Sequence, residues 1–210
     1  AGDGNYSYID NKNEVKKVVR RQLSSTLATV AQDVKIRVEF NPATVKEYRL
    51  VGYENRMLKQ EDFNNDKVDA GDIGAGHNVT AIYEIIPVGQ QGWLNDSRYQ
   101  ASTKTYAAKK SEYAFVNLRY KLPNQEKSIL LSRSVKAESK TLAQANNDTR
   151  FAIAVAAYAQ QLKGGQYNGA MGWDQIIQLA KQSAQPDPYQ MREEFIELAK
   201  IAKSLSAKKD

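Results

Sequence analysis

The feature that most constrains the fold is the run VKIRVEF at 34–40, in which apolar residues occupy every second position and charged residues lie between them. Because successive side chains of a strand point to opposite faces, this run predicts a strand with one buried and one solvated face. Asn41-Pro42 ends it, since proline donates no backbone hydrogen bond. Residues 45–53 are rich in β-branched and aromatic residues and predict a second strand, and residues 79–86 predict a third.

The periodicity changes from strand to helix in the second half of the chain. Residues 113–120 and 128–135 predict an antiparallel hairpin, because a short connection joins them. Strands followed by helices indicate an α+β fold, with an antiparallel sheet or small β-sandwich and then a C-terminal helical subdomain. The predicted helices run from an Asp148 cap through Lys163, from 171 to 184, and onward from an Asp187 cap with Pro188 at the first helical position.

The N-terminal residues 1–30 predict a turn, a short strand and a helix from Glu14 to about Val30. One strand and one helix cannot bury a core of their own. They are therefore either a cover for the strands that come after them or the tail of a domain whose body lies upstream. The remaining chain predicts an antiparallel β domain over 31–138 and a helical subdomain over 139–210.

Composition excludes several classes of function. The 210 residues contain no cysteine, which excludes disulfides, thiol catalysis and cysteine-ligated metal. The net charge is +6, but the basic residues are spread along the chain among acidic ones, which favours solvated faces over a nucleic-acid site. We find no signal-peptide pattern, and no apolar run approaches the roughly 18 residues that span a bilayer.

An acidic loop at 61–72 carries the best candidate ligands for a metal ion. Asp62, Asn64 and Asp66 match the first three ligand positions of an EF-hand loop, where oxygens from alternate residues converge on one calcium ion. The match then fails, because Lys67 takes the place of the turn glycine and Ile73 that of the bidentate glutamate. An acidic turn that makes capping hydrogen bonds is the favoured interpretation, with calcium as the alternative. The candidate ligands are Asp62, Asn64, Asp66 and Asp69.

Other candidate sites have simpler structural interpretations. The glycine-rich stretch at 71–76 leads into a strand instead of opening a helix, so it predicts tight turns and not a phosphate-binding loop. His77 is the only histidine and is interpreted as a hydrogen-bonded structural residue. Aromatic residues at 93–120 could stack on a sugar or base, although a half-buried sheet accounts for the later ones. We therefore predict no catalytic residue and no cofactor.

Three stretches of the chain carry a resemblance to a known family. They are GDGNYSYIDNKNEVKKV at 2–18, the run at 33–85, and EYAFVNLRYKLP at 112–123 with the terminal helices. Together they resemble the C-terminal region of bacterial proteins that contain a von Willebrand factor type A domain. In such proteins, a doubly wound type A domain with a metal-ion-dependent adhesion site precedes a C-terminal region of unknown function.

The resemblance implies that residues 1–30 are the last strand and helix of the type A domain. The adhesion site needs an Asp-x-Ser-x-Ser loop, which this chain lacks, so its metal ligands are not carried over.

These observations lead to a hypothesis of function. The chain is expected to be a non-enzymatic, protein-interacting module that packs against an upstream type A domain and helps present it to a protein partner. The resemblance implies a bacterial source and the cell envelope or periplasm. A small domain that binds a ligand or calcium through loop 62–72 is the alternative, and an enzyme is the third choice. Apolar surface is expected where the type A body would lie.

Overall fold

A computed structural model describes residue 15 and residues 28–52, 60–94 and 111–207. Nearly all of the predicted N-terminal strand and helix, and most of the polar stretch that follows residue 94, lie outside these ranges. The chain divides into two compact units, residues 1–138 and residues 139–210. No helix in the described part is long and apolar enough to cross a membrane.

The first unit contains two antiparallel sheets. Their strands are β1 (Thr29–Phe40), β2 (Val45–Val51), β3 (Gly71–Gly74), β4 (Ile82–Pro87), β5 (Glu112–Lys121) and β6 (Ile129–Lys136). The larger sheet has four strands in the order β3-β1-β5-β6, and the smaller pairs β2 with β4. Together with three helices in the second unit, this confirms the predicted α+β class with antiparallel strands first.

The predicted strand boundaries need three corrections. First, the predicted helix end near Val30 is wrong, because β1 begins at Thr29 and pairs there with Gly74. Second, Gly71–Gly74 is itself a short strand, and the turn follows it, at Gly76 with φ of 78°. Third, β4 starts at Ile82 and not at residue 79. Pairing between distant segments extends β1 and creates β3, and local composition does not report such pairing.

Aromatic rings join the two sheets at the end of β1. Phe40 stacks on Tyr48 of β2 with ring centroids 4.2 Å apart, and it meets Tyr83 of β4 edge-on at 5.2 Å. Burial and then the neighbouring Tyr48 raise the pKa of Tyr83 above its ordinary value. The Asn41 side chain donates to the carbonyl of Glu112 at 2.8 Å and fixes the corner that follows β1.

The second unit is built from three helices around an apolar core. The Phe195 ring meets the rings of Phe151 and Tyr158 edge-on beside this core, with centroids 5.3 and 5.2 Å apart. The helices are α1 (Asn147–Leu162), α2 (Trp173–Gln182) and α3 (Met191–Ser206). The buried residues of the core are Ala154, Ile177, Leu179, Ala180, Ala184, Ile196 and Ala199.

Two of the predicted helix caps act differently from expectation. Asn146, and not Asp148, caps α1, since its side chain accepts from the Thr149 N–H at 2.8 Å. Asp187 precedes the first residue of α3 by four positions, so Pro188 is not in the helix. Its carboxylate nevertheless accepts the N–H groups of Met191, Arg192 and Glu193 at 2.8–3.0 Å, which satisfies the first turn.

Candidate interaction surfaces

The predicted acidic loop folds over the charged face of β1. Its first part is a short 3-10 helix, Gln60–Asn64, and the side chain of Phe63 is buried. Lys35 of β1 reaches beneath it and is only 3% exposed. The Lys35 ammonium group donates to the carbonyls of Asp62 at 3.3 Å and Asn65 at 2.5 Å. A buried lysine therefore holds the end of the short helix through its backbone oxygens.

Two cations of β5 hold the next part of the loop. Arg119 Nη1 donates to the Asp66 carboxylate at 3.2 Å and to the Ser128 hydroxyl at 2.6 Å. Lys121 Nζ donates to the Asp66 carbonyl at 2.8 Å and to the Asp33 carboxylate at 2.6 Å. We call Lys35, Arg119 and Lys121 the basic clamp. Its members lie on strands that are distant in sequence, so no local motif could have identified it.

Asp33 completes the attachment of the loop to the sheet. It lies at an irregularity in the pairing of β1 with β3 and has φ of 51°. Its carboxylate accepts the Ala70 N–H at 3.1 Å, and its own N–H donates to the Asp72 carboxylate at 3.2 Å. Asparagine and aspartate tolerate this left-handed conformation better than most residues. Sequence reasoning did not single out Asp33.

Of the four predicted ligand residues, only Asp66 and Asp69 line the same groove. The carbonyl of Asp62 accepts from Lys35, the carboxylate of Asp66 accepts from Arg119, and Asn64 is exposed. Asp66 and Asp69 line an open groove of about 710 Å³ that has Asp33, Asp72 and Lys121 on its walls. In the described ranges, no three carboxylate, imidazole or thiol side chains group closely enough to hold a metal ion.

Hydrogen bonds and ion pairs around the loop lower the pKa of two carboxylates and raise that of one lysine. Burial alone would raise the pKa of Asp33, but the hydrogen bonds from Lys121 and Ala70 outweigh burial and lower it. The hydrogen bond from Ser128, followed by Arg119, lowers the pKa of Asp66. The hydrogen bond to Asp33, against a smaller effect of burial, raises the pKa of Lys121.

These shifts predict two pH limits of stability. A carboxylate whose pKa is lowered by folding stabilises the folded chain fully above about pH 3.9, and this stabilisation is lost as pH falls through the folded-state pKa. A lysine whose pKa is raised by folding stabilises the folded chain fully below about pH 10.4, and this stabilisation is lost as pH rises through the folded-state pKa. We measure the free energy of unfolding by urea denaturation across pH. With Asp33→Asn and Lys121→Met combined, we expect this free energy to fall less steeply at the acidic and the basic end than in the unaltered chain. An equally steep fall at both ends would contradict the assignment.

His77 lies at the turn after β3 and is exposed. Its backbone N–H donates to the Gly74 carbonyl at 3.0 Å. The first four residues of the glycine stretch thus form β3, and Gly76 and His77 belong to the chain reversal that follows it. The structure gives neither of them a catalytic partner among the described residues.

The four-stranded sheet has one face that is apolar across three strands. Cross-strand pairing places Ile36 of β1 beside Leu118 of β5, and Leu118 beside Leu131 of β6. We call this set the apolar face. Every member except Arg133 is apolar. Its members are Ile36, Val38, Phe40, Ala114, Val116, Leu118, Leu131, Arg133 and Val135.

Only one end of the apolar face is covered. Ala114 is buried and Phe40 packs on the rings of the smaller sheet, whereas Ile36 is 48% exposed and Leu131 is 52% exposed. The charged face behaves in the opposite way at Lys35, which is buried beneath the loop. The strand predicted at 34–40 is therefore confirmed, but the prediction that its apolar residues are buried and its charged residues solvated is wrong at Lys35 and Ile36.

Residues 25–205 match the family model described as "Uncharacterized protein YfbK, C-terminal". The chain belongs to this family. It is 44% identical over 202 residues to the protein named "Uncharacterized protein YfbK" of Escherichia coli strain K12. The match covers 96% of this chain but 35% of that relative, so the chain spans about a third of its length. No solved structure is significantly similar to the chain.

Proposed function

We propose that the chain is a non-enzymatic accessory module that docks, through its apolar face, onto a type A domain that precedes it in the same bacterial polypeptide. Docking would hold that domain in position for a protein partner in the cell envelope. The observation that carries the proposal is the half-exposed apolar face of the four-stranded sheet.

The physical argument rests on the burial that an apolar sheet face requires. A sheet must bury its apolar face against another layer, and large exposed apolar patches in soluble proteins mark interaction sites. Burial of the exposed halves of Ile36 and Leu131 would contribute roughly 1 kcal/mol each. The opposite face at this position is already covered by the acidic loop and held by the basic clamp. The side of the sheet on which another layer can still pack is therefore the apolar face.

The location of the module in a longer relative indicates what would pack on the apolar face. The family model names a C-terminal region, and the Escherichia coli relative is nearly three times as long as the matched segment. The resemblance of residues 2–18, 33–85 and 112–123 to type A proteins supports a preceding type A domain as the layer that the apolar face would meet. The same resemblance supports a place in the cell envelope, which fractionation of source cells and immunoblotting would test.

The non-enzymatic part of the proposal is supported by the roles of the polar groups. Hydrogen bonds from Lys121 and Ala70 outweigh burial and lower the pKa of Asp33. Those from Ser128 and then Arg119 lower the pKa of Asp66, so both carboxylates are poor general bases. Appreciable hydrolytic or transfer activity in the chain would overturn this part.

Docking is tested by titrating the separately expressed type A domain into the chain and measuring the dissociation constant by calorimetry. We expect Leu131→Lys to weaken binding at least tenfold, because it removes apolar contact and brings a charge into the interface. Leu130→Lys is the matched control. Leu130 is the adjacent residue of β6, is 50% exposed and points to the opposite face, so its substitution should leave binding unchanged.

Two results would contradict docking through the apolar face. One is equal weakening by the two leucine variants, which would indicate a general effect on β6. The other is no binding of the unaltered chain at the millimolar concentrations that calorimetry reaches.

A further inference from the structure

Strand β6 lies at the edge of the four-stranded sheet. No described strand pairs with its outer side, and every residue of β6 after Ile129 is exposed. The opposite edge is β3, which has four residues, two of them glycine. β6 is twice as long and contains no proline. Its outer edge therefore lacks two devices that commonly block strand addition, short length and proline.

The outer edge of β6 offers both backbone and side-chain contacts. An edge strand presents a row of N–H and C=O groups that an extended segment can pair with. Leu131 and Val135 lie on the apolar face, and Leu130 lies on the other face, all of them at least two-fifths exposed. An added strand would extend the hydrogen-bonded ladder and bury these side chains at the same time.

The charges of β6 determine which segment fits. Its charged residues are Arg133 and Lys136, and the strand contains no acidic residue. Arg133 forms no ion pair or hydrogen bond with the described residues, although Lys136 has an exposed partner in Glu138 at 3.9 Å. An antiparallel copy of β6 centred on Arg133 would place this residue opposite itself, and like charges directly opposite each other are destabilising.

We infer that β6 pairs with an extended segment of a partner protein, antiparallel, that carries an acidic residue opposite Arg133 and apolar residues opposite Leu131 and Val135. Antiparallel pairing continues the arrangement of the whole sheet and is slightly more stable per residue than parallel pairing. The inference does not rest on docking of the type A domain, since its backbone pairing uses the edge of the sheet, although the added strand would also contact Leu131 and Val135 of the apolar face.

A designed peptide tests the inference directly. The probe is acetyl-Glu-Val-Thr-Glu-Thr-Val-Val-Ile-amide, which in antiparallel register places glutamate opposite Arg133 and Lys136. The matched control has lysine in place of the second glutamate. Each peptide is titrated to about 1 mM into the chain, and backbone amide chemical shifts are followed by NMR. We expect shifts concentrated at residues 129–136 and an affinity about three- to tenfold higher for the glutamate peptide.

A charge exchange completes the test. Arg133→Glu should reverse the preference, so that the lysine peptide binds more tightly than the glutamate peptide. This reversal would also show that the variant remains folded. No shift at residues 129–136 with either peptide, or equal affinities for the two, would overturn the inference. Concentration-dependent shifts of these residues without peptide would also overturn it, by making a second copy of the chain the occupant.

Discussion

Replacing Lys35 by methionine is expected to lower the free energy of unfolding by about 2–3 kcal/mol and to loosen the acidic loop. Methionine fills nearly the same space but donates no hydrogen bond. The carbonyls of Asp62 and Asn65 would then lose their charged donor and keep only backbone N–H donors at 3.2 Å. Removal of a buried charge recovers some desolvation energy, but hydrogen bonds to a charged group are stronger than those to a neutral one, so the loss of the two bonds is expected to dominate.

Urea denaturation measures the change in stability for Lys35→Met, and hydrogen exchange of the amides at 60–70 measures the loosening. The matched control is Lys136→Met, the same substitution at a lysine of the same sheet whose side chain is 77% exposed. A surface change of this kind should alter stability by no more than about 0.5 kcal/mol. Equal effects of the two substitutions would mean that Lys35 does not hold the loop.

Replacing Ile196 by alanine is expected to destabilise the helical unit by about 2–5 kcal/mol. Ile196 belongs to the buried core that α1, α2 and α3 share, so truncation leaves a cavity as well as losing buried apolar area. Ile201→Ala on the same helix is the matched control, since Ile201 is exposed. The change in helix propensity is the same at both positions and cancels in the comparison.

Trp173 provides a local readout of this prediction. The chain has two tryptophans, so Trp93→Phe leaves Trp173 in α2 as the only one. Its fluorescence should follow unfolding of the helical unit at a much lower urea concentration in Ile196→Ala than in Ile201→Ala. Coincident transitions would contradict the assignment of Ile196 to the core.

Sequence periodicity predicted the elements well where burial follows a local pattern. The hairpin of β5 and β6 and the three helices are recovered within a few residues, because their apolar positions repeat with the period of the element. The strand β3 could not be predicted in this way. Gly71–Gly74 has poor strand propensity and is a strand only because β1 pairs with it.

Burial of the two faces of β1 was the harder property to predict. Alternation identified the faces correctly, but it assigned Lys35 to solvent and Ile36 to the core. Lys35 is buried because a loop from residues 60–70 crosses it and offers carbonyl oxygens to its ammonium group. Ile36 remains half exposed because the smaller sheet covers only the Phe40 end. Both outcomes depend on contacts between distant segments, and periodicity within a strand cannot report them.

The predicted ligand set shows the same limit. The spacing of Asp62, Asn64 and Asp66 predicted metal ligands because oxygen-bearing residues at alternate positions match the start of an EF-hand loop. The structure instead supplies cations from β1 and β5, and these bind the Asp62 carbonyl and the Asp66 carboxylate. Lys35, Arg119 and Lys121 carry no distinguishing signal in the sequence, since each alternates with apolar residues on an ordinary strand.

The measurement that tests docking of the apolar face most directly is hydroxyl-radical footprinting of side chains. It compares the chain alone with the polypeptide in which the chain follows its type A domain. We expect strong protection of Ile36 and Leu131 in the longer polypeptide, with labelling of Leu130 on the opposite face unchanged. Labelling of Ile36 and Leu131 to the same extent in both would contradict docking through the apolar face.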